Sequence, residues 1–324
     1  MVDVGIVVIG RNEGERLRDC LASISMATCP IVYVDSGSHD DSVALAKSFN
    51  AEVVELDPAR PFSAARARNE GFAHLLEHSP GVRLVQFFDG DCEVVDGWID
   101  AAVEFLGAHS DVAAVCGRRR ERYPEKSIFN LLCDIEWNTP VGEAKAFGGD
   151  VMMRVDALLD SNGYRASLIA GEDTELGVRL RAAGWRIWRL DKEMTLHDAA
   201  ITRFSQWWKR SKRTGYAIAE GASLHGTLPE RFWIRESRST RIWGLVIPLA
   251  ALLASFWIGL WATVVLLVYP LQVQRLYLRG DGAPQNNYWH AVFLVLGKFP
   301  EMLGQAKFLA GRYSRIRPKL IEYK

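Results

Sequence analysis

Apolar residues in the first part of the chain come in short runs, each followed by a polar loop and then by a helical pattern. "VGIVVIG" precedes "EGERLRDCLASI", "PIVYVD" precedes "DDSVALAKSF", "AEVVEL" precedes "FSAARARNEGFAHLLEH", and "VRLVQFFDGD" closes the series. Strand-length runs alternating with helices predict βαβ units around a parallel sheet, whose ligands bind at the carboxyl ends of the strands. The loops "GRNEGE", "DSGSHDDS" and "DGDCEV" occupy those ends. From about Trp98 to Leu190 the pattern is mixed, with helices at "DGWIDAAVEFLGAH" and "DTELGVRLRAAG" and strands at "DVAAVCG" and "WRIWRL".

After His197 the pattern changes. Basic residues between Arg203 and Arg241 interleave with Trp207, Trp208, Phe232 and Trp233, and residues 243–271 then run without a charge. About 20 apolar residues cross a bilayer, so this run suffices for membrane insertion and is too short for two full crossings. Pro248, Gly259 and Pro270 leave two geometries open, a re-entrant hairpin and a single tilted helix. Arg275 and Arg279 make the far flank basic as well, and basic flanks tend to stay cytoplasmic. The closing "YWHAVFLVLGKFPEMLGQAKFLAGRYSR" reads as an interfacial amphipathic helix, or alternatively as a helix packed on the catalytic domain.

Composition adds bounds. A chain of 324 residues, 49% hydrophobic, can bury a sizeable core. Its 39 basic and 39 acidic residues cancel, so no global field argues for a nucleic-acid partner. Five scattered cysteines without a C-x-x-C pair favour reduced thiols and the cytosol. The N-terminal "VDVGIVVIG" reads as a first strand and not as a signal peptide.

Asp89 and Asp91 carry the local chemistry. Two carboxylates one residue apart on a turn at a strand end can both reach one divalent cation, and Gly90 between them leaves room for a diphosphate. The competing reading is an ordinary polar turn.

"VVIGRNEGERLRDCLASI", "IVYVDSGSHDDSVALA", "FSAARARNEGF", "QFFDGDCEV", "AFGGDVMMRVDAL" and "AGEDTELGVRLRAAGWRI" resemble, in order and approximate spacing, the inverting family 2 glycosyltransferases of the GT-A fold. The resemblance covers roughly residues 4–200. It implies an α/β fold: a GT-A type, mostly parallel sheet flanked by helices, with a Rossmann-like nucleotide-binding half and a C-terminal helical membrane-associated region. It assigns 1–200 to a catalytic domain (nucleotide-sugar and metal site in 1–100, acceptor side in 101–200), and the charge and hydropathy pattern adds a basic and aromatic linker at 201–242, the membrane segment at 243–271 and an amphipathic region at 272–324.

The same resemblance assigns Glu13, Asp35, Arg68, Asn69 and Asp89 to the nucleotide-sugar, with Ser36 standing where the family has a second aspartate. It assigns a divalent metal, Mg²⁺ or Mn²⁺, to Asp91 first, then to Asp89 and His197. Asp173 becomes the general base that deprotonates an acceptor hydroxyl, with Glu172, Gly149 and Asp150 on the acceptor side. Structural readings stand beside these: Glu13 as a helix N-terminal carboxylate, Arg66 as a solvated helix charge, Glu172 and Asp173 as capping groups, and His197 as a core histidine. In "FSQWWKRSKRTGYA", Lys209 and Arg210 replace the Arg-Trp of the processive synthases' Gln-x-x-Arg-Trp segment, so processivity is not implied.

The function expected is transfer of a sugar from a nucleotide-diphosphate donor to a saccharide or polyprenyl-linked acceptor, an envelope or exopolysaccharide precursor. The expected place is the lipid bilayer of a bacterial-type inner membrane, with the catalytic domain facing the cytosol. Two functions compete. A non-catalytic membrane accessory protein could retain the fold, and a nucleotidyltransferase would need a Gly-rich loop with a lysine where this chain has "GRNEGER".

Overall fold

The structure is a computed structural model that describes residues 4–25, 29–227 and 229–314. The chain divides into two units. The first takes in Met1–Tyr123, Glu136–Leu168 and Glu172–Ala199, and the second takes in Pro124–Ile135, Ile169–Gly171 and Ala200–Lys324.

The first unit is built on a nine-stranded sheet: β1 (Val4–Gly10), β2 (Ile31–Asp35), β3 (Glu52–Glu55), β4 (Leu84–Asp89), β5 (Cys92–Val94), β6 (Val112–Glu121), β7 (Gly142–Glu143), β8 (Val151–Arg154) and β9 (Arg186–His197). The order is β3-β2-β1-β4-β8-β6-β9-β5, with β7 on β9. Strands β3, β2, β1 and β4 are parallel, whereas β8 runs antiparallel between β4 and β6.

Helices α1 (Glu15–Ile24), α2 (Ser42–Ser48), α3 (Ala64–His78) and α4 (Trp98–Ala108) follow the early strands; α5 (Ile128–Trp137), α6 (Val155–Asp160) and α7 (Glu172–Ala182) come later. The central strands are apolar at nearly every position because both faces are covered: Ile6, Val7, Val8, Val85, Phe87 and Phe88 are fully buried. On α1 the buried residues are Leu17, Cys20, Leu21 and Ile24, the spacing of one helical face. The chain leaves β1 toward β2 and β3 on one side and returns through β4 on the other. That reversal opens a crevice at the carboxyl ends of β1 and β4.

The second unit is helical: α8 (Phe204–His225), α9 (Ile234–Arg241), a π-helical turn at Ile242–Val246, α10 (Ile247–Ile258), a 3₁₀ stretch at Gly259–Leu267, α11 (Val268–Tyr277), α12 (Pro284–Leu296) and α13 (Lys298–Ser314). Gln206 caps α8 by accepting from the backbone N–H groups of Thr202 and Arg203 at 3.1 and 3.0 Å. The closing stretch forms α12 and α13. α13 packs against α8 and α9, side chains at Gly215 or Gly304 would strike backbone of the facing helix, and Gln305 is fully buried. The helical run Ile234–Tyr277, 44 residues, is long and apolar enough to cross a membrane by length and composition. Gly259 interrupts it at φ 59°.

Candidate active site

Asp89 ends β4 beside Ile9 of β1, and the turn that follows is drawn tight. Gly90 N–H donates to the Ile9 carbonyl at 2.8 Å, and a Cβ at Gly90 would lie 3.1 Å from that oxygen. The glycine therefore already answers a close approach within the protein itself. Asp91 follows, 6% exposed. Antiparallel pairing of β5 with β9 sets Cys92 opposite His197, which carries the imidazole to Asp91 with Nε2 3.2 Å from Oδ1.

Ligand atoms of Asp89, Asp91, Cys92 and His197 all lie within 4.8 Å of one another. Two ligand atoms each about 2.1 Å from an octahedral ion and at right angles to each other lie roughly 3.0 Å apart, close to the spacing seen for Asp91 and His197. Carboxylates with an imidazole fit a divalent ion such as Mn²⁺. Buried His197 Nδ1 lacks a hydrogen-bond partner among the described residues, and the ring meets Trp137 at 4.8 Å between centroids. Cys92 Sγ–H donates to Asp150 at 3.2 Å, and burial, followed by the Asp150 charge, pushes its thiol up.

Two arginines tie the carboxylates together. Arg68, 2% exposed, gives one nitrogen to Asp89 at 2.7 Å and another to Glu172 at 2.8 Å, and its guanidinium lies over Tyr164 at 5.5 Å. Arg119 lies 3.0 Å from Asp150 and 3.7 Å from Asp89, over the Trp137 ring at 5.5 Å. A Cβ at Gly149 would fall 2.5 Å from Asp89 Oδ2 and 2.6 Å from an Arg68 nitrogen, so only glycine fits beside this clamp. Asp150 is fully buried. It accepts from the Asp89 N–H at 3.0 Å and from Thr195 Oγ1 at 2.8 Å, and so supports the cluster from beneath.

Glu172 and Asp173 open α7, directly after Gly171 at φ 77°. Asp173 Oδ1 accepts from the Thr174 N–H at 2.7 Å, leaving Oδ2 without a hydrogen bond among the described residues. Burial first, then the neighbouring Glu172 charge, push the Asp173 carboxyl up to about 6. A carboxylate titrating there is a stronger base than an ordinary aspartate and is ionised at neutral pH.

Asp35 Oδ2 accepts from the N–H groups of Gly37 and Ser38 at 2.9 and 2.8 Å, which shapes the loop after β2. Glu13 pairs with Arg16 at 2.7 Å at the start of α1. Asn12, in the left-handed region at φ 55°, binds that second loop through Ser38 Oγ and the His39 N–H. Asn69 is not part of the carboxylate cluster: both halves of its amide bond the Tyr164 backbone, at 2.7 and 2.8 Å. Arg66 corrects the reading of a solvated helix charge. It is 3% exposed, pairs with Glu70 at 2.6 Å and donates to the carbonyls of Asp57 and Arg60.

Arg119 and Trp137 were not singled out from the sequence. The signal for Arg119 was the triple arginine Arg118–Arg119–Arg120 ending an otherwise apolar strand; nothing local marks Trp137.

Residues 5–147 match Glycosyl transferase family 2. A TPR repeat-containing protein of Synechococcus elongatus is 38% identical over 66 residues, 20% of this chain and 16% of that one. The succinoglycan biosynthesis protein ExoA of Rhizobium meliloti is 24% identical over 217 residues, 63% of this chain and 66% of that one. The matches thus span less than two thirds of either relative's length. Among solved structures, mannosyltransferase PcManGT of Pyrobaculum calidifontis, in complex with GDP-Man and Mn²⁺, superposes with a TM-score of 0.64 at 18% identity, covering 94% of this chain and 86% of that one. The order of strands, the strand-end carboxylates and the matched segment agree, and residues 5–147 are similar to glycosyl transferase family 2.

Proposed function

We propose that the chain is a membrane-attached, inverting glycosyltransferase that moves a sugar from a nucleotide-diphosphate donor to an acceptor hydroxyl. The observation that carries this reading is the Arg68 bridge from Asp89 to Glu172, which links the candidate metal cluster to the candidate base at Asp173 in one ionic network. Asp91, His197 and Asp89 would hold a divalent ion, whose charge would offset that developing on the leaving diphosphate. Asp173 takes the acceptor proton through its open Oδ2, while Arg68 and Asp150 hold the carboxylates in place. Asp35 and Glu13 line the nucleotide side. A lipid-linked saccharide at the cytosolic face of an inner membrane is the proposed acceptor. The polysaccharide-biosynthesis relative and the apolar segment support that choice.

The test is a panel of nucleotide-sugars with full-length protein in detergent, reading nucleoside diphosphate release with and without Mn²⁺. Asp91→Ala is expected to abolish metal-dependent release, and unchanged turnover in that variant would remove the metal assignment.

A further inference from the structure

The uncharged run of residues 243–271 folds back on itself. Gly259 at φ 59° ends α10, and the Tyr269 hydroxyl donates to the Trp243 carbonyl at 2.5 Å, across 26 positions of sequence. A straight helix would hold those residues roughly 39 Å apart. Ala251 and Ala262 are the buried residues of α10 and the 3₁₀ stretch, small enough for two backbones to approach closely. The large side chains at the bend face outward: Phe256 is 80%, Trp257 90%, Leu260 86% and Trp261 78% exposed. An apolar tip of this size is unfavourable in water and favourable in hydrocarbon.

Charge identifies what covers it. Arg231, Arg235 and Arg238 line a cavity of about 390 Å³ together with Ile242 and Trp243, the residues that lead into the hairpin. None of the three arginines carries an ion pair among the described residues. Arg275 and Arg279 stand exposed beyond the other arm. Between the cations and the apolar tip lies the Trp243–Tyr269 pair, 5.7 Å between centroids, as at a membrane interface. Cations, then aromatics, then an uncharged tip match the layers of an anionic leaflet. The arm from Trp243 to Ile258 rises about 22 Å, short of the roughly 30 Å hydrocarbon core.

We infer that residues 243–271 enter the bilayer from one side and return to it, and that the arginine-lined cavity takes the phosphates of anionic phospholipids. This rests on the membrane-attached part of the proposed function and is independent of turnover. The test uses the full chain carrying Cys29→Ser, with Ser239→Cys, Leu260→Cys or Asp281→Cys added singly, in membranes of an expressing bacterium. An impermeant maleimide is expected to label positions 239 and 281 both from the cytosolic side and position 260 from neither. Labelling of 239 and 281 from opposite faces would establish a span and overturn the inference.

Purified protein is then sedimented with phosphatidylglycerol-containing and with pure phosphatidylcholine vesicles. Combined Arg231→Ala, Arg235→Ala and Arg238→Ala is expected to weaken binding to the anionic vesicles on the order of 100-fold. Equal binding of wild type to both vesicle types would overturn the phosphate site. Binding to neither, with self-association in its place, would overturn membrane attachment and leave detergent turnover as a separate question.

Discussion

At the residue scale the proposed chemistry turns on Asp173. Its raised carboxyl pKa means that the folded chain holds that proton more tightly than the unfolded chain. Folding stability from this group therefore falls as pH rises from about 3.9 to about 6. Activity runs the other way, because the base works only when ionised. The pH profile of kcat/KM is expected to lose activity as pH drops through about 6, and Asp173→Asn is expected to remove that limb. The same variant should lower turnover by roughly 10²–10⁴-fold while leaving the thermal midpoint unchanged or higher. Arg68→Ala should behave in the opposite sense. It leaves Asp89 and Glu172 without their shared cation, and a broken buried pair costs about 3–5 kcal/mol, read as an earlier denaturant midpoint. Arg68→Lys keeps the charge and loses the fork, so it is expected to fall between.

At the element scale, loops are held by side chains that sequence alone assigns elsewhere. Asn69→Ala removes two hydrogen bonds to Tyr164 and should cost about 1–3 kcal/mol while leaving nucleotide affinity nearly unchanged. A large loss of affinity at unchanged stability would return Asn69 to the nucleotide. Gly149→Ala should cut turnover, because its methyl group must displace Asp89 or Arg68.

The alternation of strands and helices was legible because fully covered strands have to be apolar and α1 has to show one apolar face. Asp89 and Asp91 were legible because they stand where an apolar run stops. The antiparallel β8 between β4 and β6 was not, since sheet neighbours far apart in sequence leave no local mark. Arg66 was misread for a different reason: its burial depends on carbonyls of the preceding loop, and a charge pattern on a helix does not reveal them. Hairpin and span were indistinguishable by composition, because the bond from the Tyr269 hydroxyl to the Trp243 carbonyl joins positions 26 apart and leaves no mark on the local sequence.

At the scale of the whole molecule, metal binding and stability are linked. Asp91, His197 and Asp89 would hold a divalent cation, and an ion that binds only the folded chain stabilises it by about 2.7 kcal/mol at a hundredfold excess over Kd. The thermal midpoint of wild type should therefore rise with added Mn²⁺ and fall on chelation, and that of Asp91→Asn should respond to neither. The measurement closest to the central claim is release of nucleoside diphosphate from a nucleotide-sugar panel by the full-length chain in detergent. The expected result is Mn²⁺-dependent release from at least one donor, at least a hundredfold slower in Asp91→Asn and in Asp173→Asn. Release that is equal without metal, or unchanged in both variants, would contradict the account.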